Sequence, residues 1–215
     1  MQCVFDFCRE LPAMPVRSER LFFALLPDAE TSRRVVRLRE RFICEYRIPG
    51  TQLNPECLHV SLHHVGDYRR LRTRFIYAAR KAGDAVAMPP FEMAFRFVGT
   101  FEAPLSRNGN PGNRPLVLLA ESDALSTLHE RLGAAMKKNG LRASAHFMPH
   151  MTLLYGPASV GMRAIAPICY TVDRFALIHS ELGRTRHNIV EQWPLRPCAR
   201  LGPGSHHSEC AWAVS

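Results

Sequence analysis

Two short segments with the same pattern, His59-Val60-Ser61-Leu62 and His150-Met151-Thr152-Leu153, constrain the fold of this chain more than any other feature. Each places a histidine and a hydroxyl residue two positions apart, with apolar residues in the other two places. Side chains alternate between the two faces of a β-strand, so the imidazole and the hydroxyl share one face about 6.5 Å apart. The repeat therefore predicts two similar strands, each with a polar pair on one face and apolar residues on the other.

Two such strands facing each other would make a symmetric clamp for a phosphate group. The hydroxyls of Ser61 and Thr152 can donate hydrogen bonds to non-bridging oxygens, and the imidazoles of His59 and His150 can stand on opposite sides of phosphorus. An ordinary imidazole changes charge near neutral pH, so one ring can act as a base while the other acts as an acid. The pattern thus indicates phosphoryl chemistry.

These histidines have two other interpretations. A single His-x-Ser/Thr is common by chance and usually contains an exposed or packed histidine, but here it occurs twice, each copy followed by a glycine, Gly66 or Gly156. His146 and His150 have the spacing of a zinc-binding pair on a helix, yet Pro149 and the strand pattern argue against a helix there. The paired phosphate site is favoured and no metal is expected.

Composition narrows the class of partner. The chain has 215 residues, a formal net charge of +9 and a pI near 9.6, which favours a polyanion such as RNA, although arginine-rich proteins that bind no nucleic acid are common. No apolar run reaches the roughly 18 residues that span a bilayer, so we expect a protein with no membrane contact. The seven cysteines are an odd number without close pairs, which favours a reducing cytoplasm over a disulfide framework.

The chain divides into one structured region and two terminal segments. Residues 1–18 lack the apolar stretch of a secretory signal and are predicted to be a disordered extension, with Met14 as an alternative start to Met1. Residues 19–196 are predicted to form one domain. Residues 197–215 show no periodicity and are predicted to be a disordered tail.

Within the domain, strand patterns and helix patterns alternate. Asp67 is predicted to cap a helix that ends at Gly83 and has an arginine-rich face, which either binds RNA backbone or is simply solvated. The pattern predicts an α+β fold that is bilobal: two pseudo-symmetric halves with antiparallel sheets flank a central cleft, and helices lie on the outside. The predicted strands are 20–26, 58–65, 91–101, 115–120, 147–155, 170–182 and 187–195, and the predicted helices are 29–42, 67–83 and 123–138.

Several segments together resemble a known family. Arg20-Leu-Phe-Phe-Ala24, the two histidine motifs, Gly183-Arg-Thr-Arg-His187 and Trp193-Pro-Leu195 are similar to the RNA 2′,3′-cyclic phosphodiesterases, historically called 2′-5′ RNA ligases, of the two-histidine phosphoesterase superfamily. The resemblance covers about residues 20–195. It implies a bilobal fold, no metal or other cofactor, and hydrolysis of a 2′,3′-cyclic phosphate to a 2′-phosphomonoester.

The resemblance also implies roles for individual residues. In that family the first-motif histidine, here His59, is the proton donor and the second, here His150, is the proton acceptor. The hydroxyls of Ser61 and Thr152 hold the phosphate. Ser61 stands where the family usually has Thr, which keeps the hydroxyl but loses the methyl group that restricts χ1.

Further residues are candidates for substrate binding. Phe23 matches a family phenylalanine at the cleft and can stack on a base or pack in the core. Tyr155 stands where relatives carry an arginine, so a positive charge is lost, but a hydroxyl and an aromatic face remain. Arg184 and Arg186 are expected beside the cleft, where either can contact phosphate. His63 is expected at the cleft rim, packed inside or solvated.

Three classes of function are compatible with the sequence. The first is a hydrolase for RNA ends that carry a 2′,3′-cyclic phosphate, tRNA fragments included, acting as a monomer. The second is a related enzyme, either a 2′-5′ RNA ligase or a phosphodiesterase for small cyclic nucleotides. The third is a non-catalytic RNA-binding module, which the two intact His/hydroxyl pairs disfavour because binding alone does not require two imidazoles.

Overall fold

The computed structural model describes residues 19–102, 112–181 and 186–196. The predicted disorder of 1–18 and 197–215 and the predicted role of Arg184 lie outside these residues. Among the described helices, none is long and apolar enough to cross a membrane.

The described elements agree in type and order with most of the predicted ones. A short 3-10 turn, Pro55–Cys57, precedes the first histidine motif. The strands and helices are β1 Glu19–Leu25, α1 Ala29–Tyr46, β2 Thr51–Gln52, β3 Val60–Tyr68, α2 Thr73–Asp84, β4 Phe91–Thr100, β5 Arg114–Glu121, α3 Asp123–Lys138, β6 His150–Gly156, β7 Arg163–Val172, β8 Arg174–Glu181 and β9 Arg186–Pro194.

The strands form one antiparallel sheet with two halves. Its order is β7-β4-β5-β6-β3-β1-β8-β9, and the short β2 pairs with β6. The half made of β7, β4, β5 and β6 meets the half made of β3, β1, β8 and β9 where β6 lies next to β3. Val60 and Met151 are the paired residues at this junction. The predicted α+β fold with two antiparallel halves is confirmed, and the two halves are parts of one open sheet.

One face of the sheet is covered by the helices. Apolar residues at helical spacing, such as Val35, Leu38 and Phe42 on α1, are buried against it. Helices α2 and α3 pack on each other, with α2 against β8 and β9 and α3 against β3. The strands supply the largest buried side chains, including Phe23, Phe95 and Phe175. Burying aromatic and aliphatic side chains on this face leaves the other face free for polar residues.

Two of the predicted elements are wrong in detail. Asp67 does not cap α2, because it lies within β3, where it accepts hydrogen bonds from Arg20 at 2.7 and 2.9 Å; the N-cap of α2 is Arg72, without a side-chain cap. The strand predicted at 170–182 is two strands, β7 and β8, which meet at Asp173. β7 begins at Arg163, well before the predicted start. Its first residues are mostly exposed, so they lack the apolar alternation from which a strand is predicted.

Bulges change which residues of the motif strands face the core. Along β3 the partners of Phe23 and Ala24 are His63 and Ser61, so Leu62 is an extra residue in the ladder. Along β6 the partners of Leu116 and Val117 on β5 are Leu154 and Thr152, so Leu153 is extra. An extra residue shifts the in/out alternation by one position beyond it.

The bulge in β3 buries His63. Its side chain is 3% exposed, and its Nε2 lies 2.8 Å from the backbone oxygen of His129 on α3. The His63 and His129 rings stack with centroids 3.9 Å apart, and Phe147 stacks on the other side of His129 at 4.1 Å. Of the three predicted positions for His63, the packed one is therefore correct. The three stacked rings connect β3, α3 and the segment before β6.

This stack makes stability sensitive to acid. Burial, with His63 beside it, lowers the pKa of His129 from 6.5 to about 4. Between those two values the unfolded chain binds a proton that the folded protein does not, so stability falls as pH falls through this window. The effect of His129 alone is about 2 kcal/mol between pH 7 and pH 5. We therefore expect the free energy of unfolding, measured with urea at pH 7 and pH 5, to fall less in His129→Phe than in the wild type, by about 2 kcal/mol. The substitution keeps an aromatic ring in the stack but removes the titrating group. Identical falls in both proteins would contradict this assignment.

Candidate active site

The junction between β3 and β6 brings the two motifs together. Val60 and Met151 are both 0% exposed and pair across the junction, so their side chains point into the core. The residues on either side of each must then point to the opposite face of the sheet. In the antiparallel register set by this pair, each histidine lies opposite the hydroxyl residue of the other motif. The result is a square with a histidine at one diagonal pair of corners and a hydroxyl at the other.

The square forms the floor of a cleft of about 510 Å³, a size suited to a small ligand or the end of a larger one. Strands β1, β8 and β9 and the segment before β3 supply the remaining walls. The lining residues are Arg20, Phe22, Leu53, Cys57, His59, Ser61, His64, His150, Thr152, Tyr155, Ser180 and His187. All four predicted catalytic residues are in this set.

The two imidazoles are oriented in the same way. Nδ1 of His59 lies 2.7 Å from the carbonyl oxygen of Cys57, and Nδ1 of His150 lies 2.8 Å from that of Met148. In both cases the carbonyl belongs to the residue two positions earlier. A carbonyl oxygen only accepts, so Nδ1 carries the hydrogen in each ring. Nε2 of each neutral ring is then left with a lone pair that can take up a proton.

Aromatic neighbours fix the planes of both rings. Phe22 and His187 lie beside His59, with ring centroids at 5.0 and 5.1 Å. Phe101 meets His150 edge-on, with centroids 4.9 Å apart. These contacts, together with the backbone hydrogen bonds, restrict rotation of both imidazoles. The site therefore presents its proton-transfer groups in fixed positions.

Burial makes His59 a weak base in the free protein. The pKa of His59 is lowered from 6.5 to about 4: burial is the main cause, the nearby rings of His187 and His150 act in the same direction, and the hydrogen bond to Cys57 opposes the change. His59 is consequently neutral at pH 7 while the cleft contains only solvent. An anion beside the ring would favour the protonated form.

The two hydroxyl groups are available to a ligand. Ser61 is exposed and Thr152 is half-buried, and neither hydroxyl has a hydrogen-bond partner among the described residues. Each can donate to an oxygen held between the histidines. Their position beside both imidazoles is what binding of a phosphate's non-bridging oxygens requires.

Because each motif strand has a bulge, each places one more side chain in the cleft beyond its motif. Beyond Leu62 and Leu153 the alternation shifts, so His64 and Tyr155, each five residues after the motif histidine, face the cleft. The predicted position of Tyr155 beside the cleft agrees with the structure, in which it is 44% exposed. Arg20 lines the same cleft as Tyr155.

Arg20 is held by a two-point ion pair. Its Nε and Nη2 donate to the carboxylate of Asp67, which also lies 2.9 Å from Nε2 of His64. These contacts hold the pKa of Asp67 well below its usual range. Nη1 of Arg20 has no partner among the described residues. Arg20 is thus the only permanently charged cation among the described residues that line the cleft.

Two predicted substrate-binding residues are wrong by one position. Phe23 is 0% exposed and packs against Phe175 and Trp193 in the core, and its neighbour Phe22 faces the cleft instead. Arg186 is exposed opposite Glu181 and is not among the lining residues, whereas the next residue, His187, is. Adjacent residues of a strand face opposite sides, and the sequence alone does not tell which of two polar or aromatic neighbours faces the cleft.

Seven lining residues were not predicted from the sequence, and four of them bring a charged, imidazole or aromatic side chain to the cleft: Phe22, His64, Arg20 and His187. Arg20, Phe22 and His187 lie in the segments that resemble the family, but nothing in those segments indicates which side chains face a ligand. Nδ1 of His187 is buried without a hydrogen-bond partner in the described part of the chain. No sequence pattern indicates that His64 faces the cleft, because its orientation depends on the bulge at Leu62.

The helical zinc interpretation is wrong for these residues. Residues 141–149, which include His146, contain no helix, and His150 begins β6. In the described part of the chain, no three His, Cys, Asp or Glu side chains are grouped so that they could hold a metal ion.

Comparison with known proteins agrees with this geometry. Residues 27–184 match the 2′-5′ RNA ligase superfamily, and no curated protein matches the chain. TT0787 of Thermus thermophilus has 24% identity and a TM-score of 0.65, covering 83% of this chain and 98% of its own. LigT of E. coli in its apo form has 21% identity and a TM-score of 0.62, covering 84% and 99%. At these identities the similarity establishes the fold.

The fold and the paired histidine motifs define a phosphoesterase of the two-histidine type. Because the match extends over most of the sequence, the chain belongs to the 2′-5′ RNA ligase superfamily. This membership supports a phosphodiester activity.

The low pKa of His59 gives a test of the anion site. We expect inorganic phosphate to raise the pKa of His59 from about 4 by at least one unit, because an anion between the motifs stabilises the imidazolium ring. The measurement is an NMR titration of the imidazole protons, assigned with His59→Gln. The Ser61→Ala/Thr152→Ala variant should show a smaller shift. A pKa of His59 that is the same with and without phosphate would contradict the proposed site.

Proposed function

We propose that this protein hydrolyses RNA 2′,3′-cyclic phosphate ends to 2′-phosphomonoesters by acid-base catalysis that uses two histidines and no metal. The observation that carries the proposal is the square of His59, Ser61, His150 and Thr152, with both Nδ1 atoms bound to carbonyl oxygens. It offers two proton-transfer groups and two hydrogen-bond donors around one position. A cyclic phosphodiester needs that set, because a base, an acid and donors to the non-bridging oxygens act on one phosphorus.

The substrate would lie with its phosphorus over the Val60–Met151 junction. Ser61 and Thr152 would donate hydrogen bonds to the two non-bridging oxygens, and the histidines would lie on opposite sides of phosphorus. This arrangement suits in-line displacement, in which the attacking and leaving oxygens are on opposite sides. The cyclic phosphate would be the anion that raises the pKa of His59 and charges it before reaction.

Each bond change has a residue to assist it. Nε2 of His150 takes a proton from water as the water oxygen bonds to phosphorus. The bond between phosphorus and O3′ of the ribose breaks, and the Nε2 proton of His59 passes to O3′. The products are a 3′-hydroxyl and a 2′-phosphomonoester. A proton must then pass from His150 to solvent and one from solvent to His59 before the next turnover.

Related structures support the choice of substrate. E. coli LigT has been crystallised with phosphate and with 3′-AMP, and the name of the superfamily refers to RNA. The net charge of +9 favours an RNA chain over an uncharged substrate. Donor and acceptor roles follow the family resemblance, and the acidity that burial gives to protonated His59 suits a proton donor. We further propose that the protein acts as a cytoplasmic monomer and that the RNA ends it hydrolyses include those of tRNA fragments.

The two motif histidines should be individually indispensable. We expect His59→Ala and His150→Ala each to lower kcat/KM on a short RNA with a 2′,3′-cyclic phosphate end by roughly 1,000-fold, since each removes a separate proton-transfer role. The double variant should be hardly worse than either single one, because groups that act as a unit are not additive. Product formation is followed by phosphorus NMR, which distinguishes a 2′-phosphate from a 3′-phosphate.

A matched histidine variant controls for non-specific damage. His146→Ala changes an exposed histidine outside the square and should keep activity within about threefold of wild type. Thermal unfolding of all variants checks that they fold. Retention of more than a tenth of the activity in either motif variant would contradict the acid-base assignment.

Chelation tests the proposed independence from metal. We expect kcat to be unchanged in excess EDTA, because the two imidazoles supply both acid and base and no bound metal needs to activate the water. Activity is measured before and after dialysis against EDTA, and then with added zinc. Loss on chelation with recovery on zinc would replace this mechanism with a metal-dependent one.

A further inference from the structure

The arginine-rich stretch between β3 and α2 is placed next to the cleft. Arg69, Arg70, Arg72 and Arg74, here called the arginine segment, are all exposed and line a surface groove with Glu19, Asp67, Tyr68 and Phe75. We propose that this groove binds the RNA strand upstream of the reacting end. The inference rests on the proposed function, because it extends the substrate from the terminal phosphate to the chain attached to it.

The groove carries positive charge that the described protein does not neutralise. Arg70, Arg72 and Arg74 have no ion-pair partner among the described residues. The two acidic residues of the groove are already bound. Asp67 holds Arg20 and His64, and Glu19 accepts a hydrogen bond from the backbone of Leu71 at 2.5 Å. The hydrogen bond leaves the Glu19 carboxylate charged, but one carboxylate against Arg70, Arg72 and Arg74 leaves the groove with a net positive charge.

Aromatic rings lie among these cations. Tyr68 and Phe75 contact each other with ring centroids 4.6 Å apart, and the guanidinium of Arg74 lies 4.7 Å from the Phe75 ring. Further along α2, Tyr77 is 63% exposed, with the ammonium group of Lys81 5.8 Å from its ring. Cations that track a backbone beside aromatic faces on which bases stack are typical of sites for single-stranded nucleic acid.

One ion pair links the groove to the active site. Arg20 lines the catalytic cleft, Asp67 lines the arginine groove, and the two are joined by their ion pair. Nη1 of Arg20 has no partner in the described structure and can donate to a phosphate of the strand. A strand leaving the square would therefore meet Arg20 first, then the ion pair of Arg20 with Asp67, and then the arginine segment.

The length of this path sets the length of the RNA that uses it. The β1 partners of Val60 and Asp67 are Leu25 and Arg20, which are five residues apart, or about 17 Å of extended chain. That distance spans several nucleotides, and single-strand sites cover about 4 to 16 nucleotides. A dinucleotide with a cyclic phosphate would occupy the square and Arg20 only. An eight-nucleotide RNA would reach the arginine segment.

The test removes two cations of the segment that have no ion-pair partner in the described structure. We expect Arg70→Ala/Arg72→Ala to lower kcat/KM about tenfold on an eight-nucleotide RNA that ends in a 2′,3′-cyclic phosphate, and to leave a dinucleotide substrate within twofold. On the longer substrate the slope of log(kcat/KM) against log salt concentration should lose about 1.4, the value for two phosphate contacts on a single strand. Arg70→Lys/Arg72→Lys should recover most of the loss.

Arg37→Ala/Arg41→Ala provides the matched control. It removes two exposed arginines from α1, which packs on β7, at the end of the sheet three strands from β6. The net charge changes by the same amount, so a general effect of charge would appear in both double variants. Equal losses, or equal salt slopes, in the two variants would overturn the inference.

Binding without chemistry separates this inference from the proposed function. Fluorescence anisotropy with an eight-nucleotide RNA that ends in a plain 3′-hydroxyl should show about tenfold weaker binding for Arg70→Ala/Arg72→Ala and no change for the α1 control. If this difference in binding is found but the protein hydrolyses no cyclic phosphate, the groove binds RNA and the proposed reaction is wrong. Unchanged RNA binding with weaker binding to phosphatidylserine vesicles would assign the segment to a membrane surface and overturn the inference.

Discussion

The active cleft depends on one backbone pairing, Val60 with Met151. Both side chains are buried completely, so the cost of moving either into water fixes which face of the junction is core. With that face fixed, each histidine must project beside the other motif's hydroxyl. A slip of one residue of either strand would send that strand's histidine and hydroxyl into the core and its buried apolar residues into the cleft, which is why the register is well determined.

The bulges at Leu62 and Leu153 extend this arrangement along both strands. They allow two successive residues of each strand to be buried, and then return a polar side chain to the cleft at His64 and Tyr155. The same bulge turns His63 inward, where it stacks on His129. One local irregularity therefore supplies both a recognition position at the cleft and a buried contact that holds α3 on the sheet.

Burial and ion pairing have opposite consequences for the titrating groups of the cleft. Burial keeps His59 neutral in the free protein, whereas the ion pair with Arg20 keeps Asp67 charged. Before substrate arrives, the cleft thus contains a neutral His59 beside one fixed cation. In the proposed reaction an anionic substrate would change that state by favouring the protonated form of His59, so that binding would itself prepare the acid.

The sequence alone determined the two His-x-Ser/Thr strands, the three helices and the apolar faces that join them, because periodicity reports which side chains meet a core. It did not determine which neighbour faces the cleft: Phe22 replaces Phe23, and His187 replaces Arg186. Those choices depend on cross-strand register and on bulges, which arise from pairing between residues far apart in the chain. Only the tertiary structure places Arg20 against Asp67 and so connects the cleft to the arginine segment.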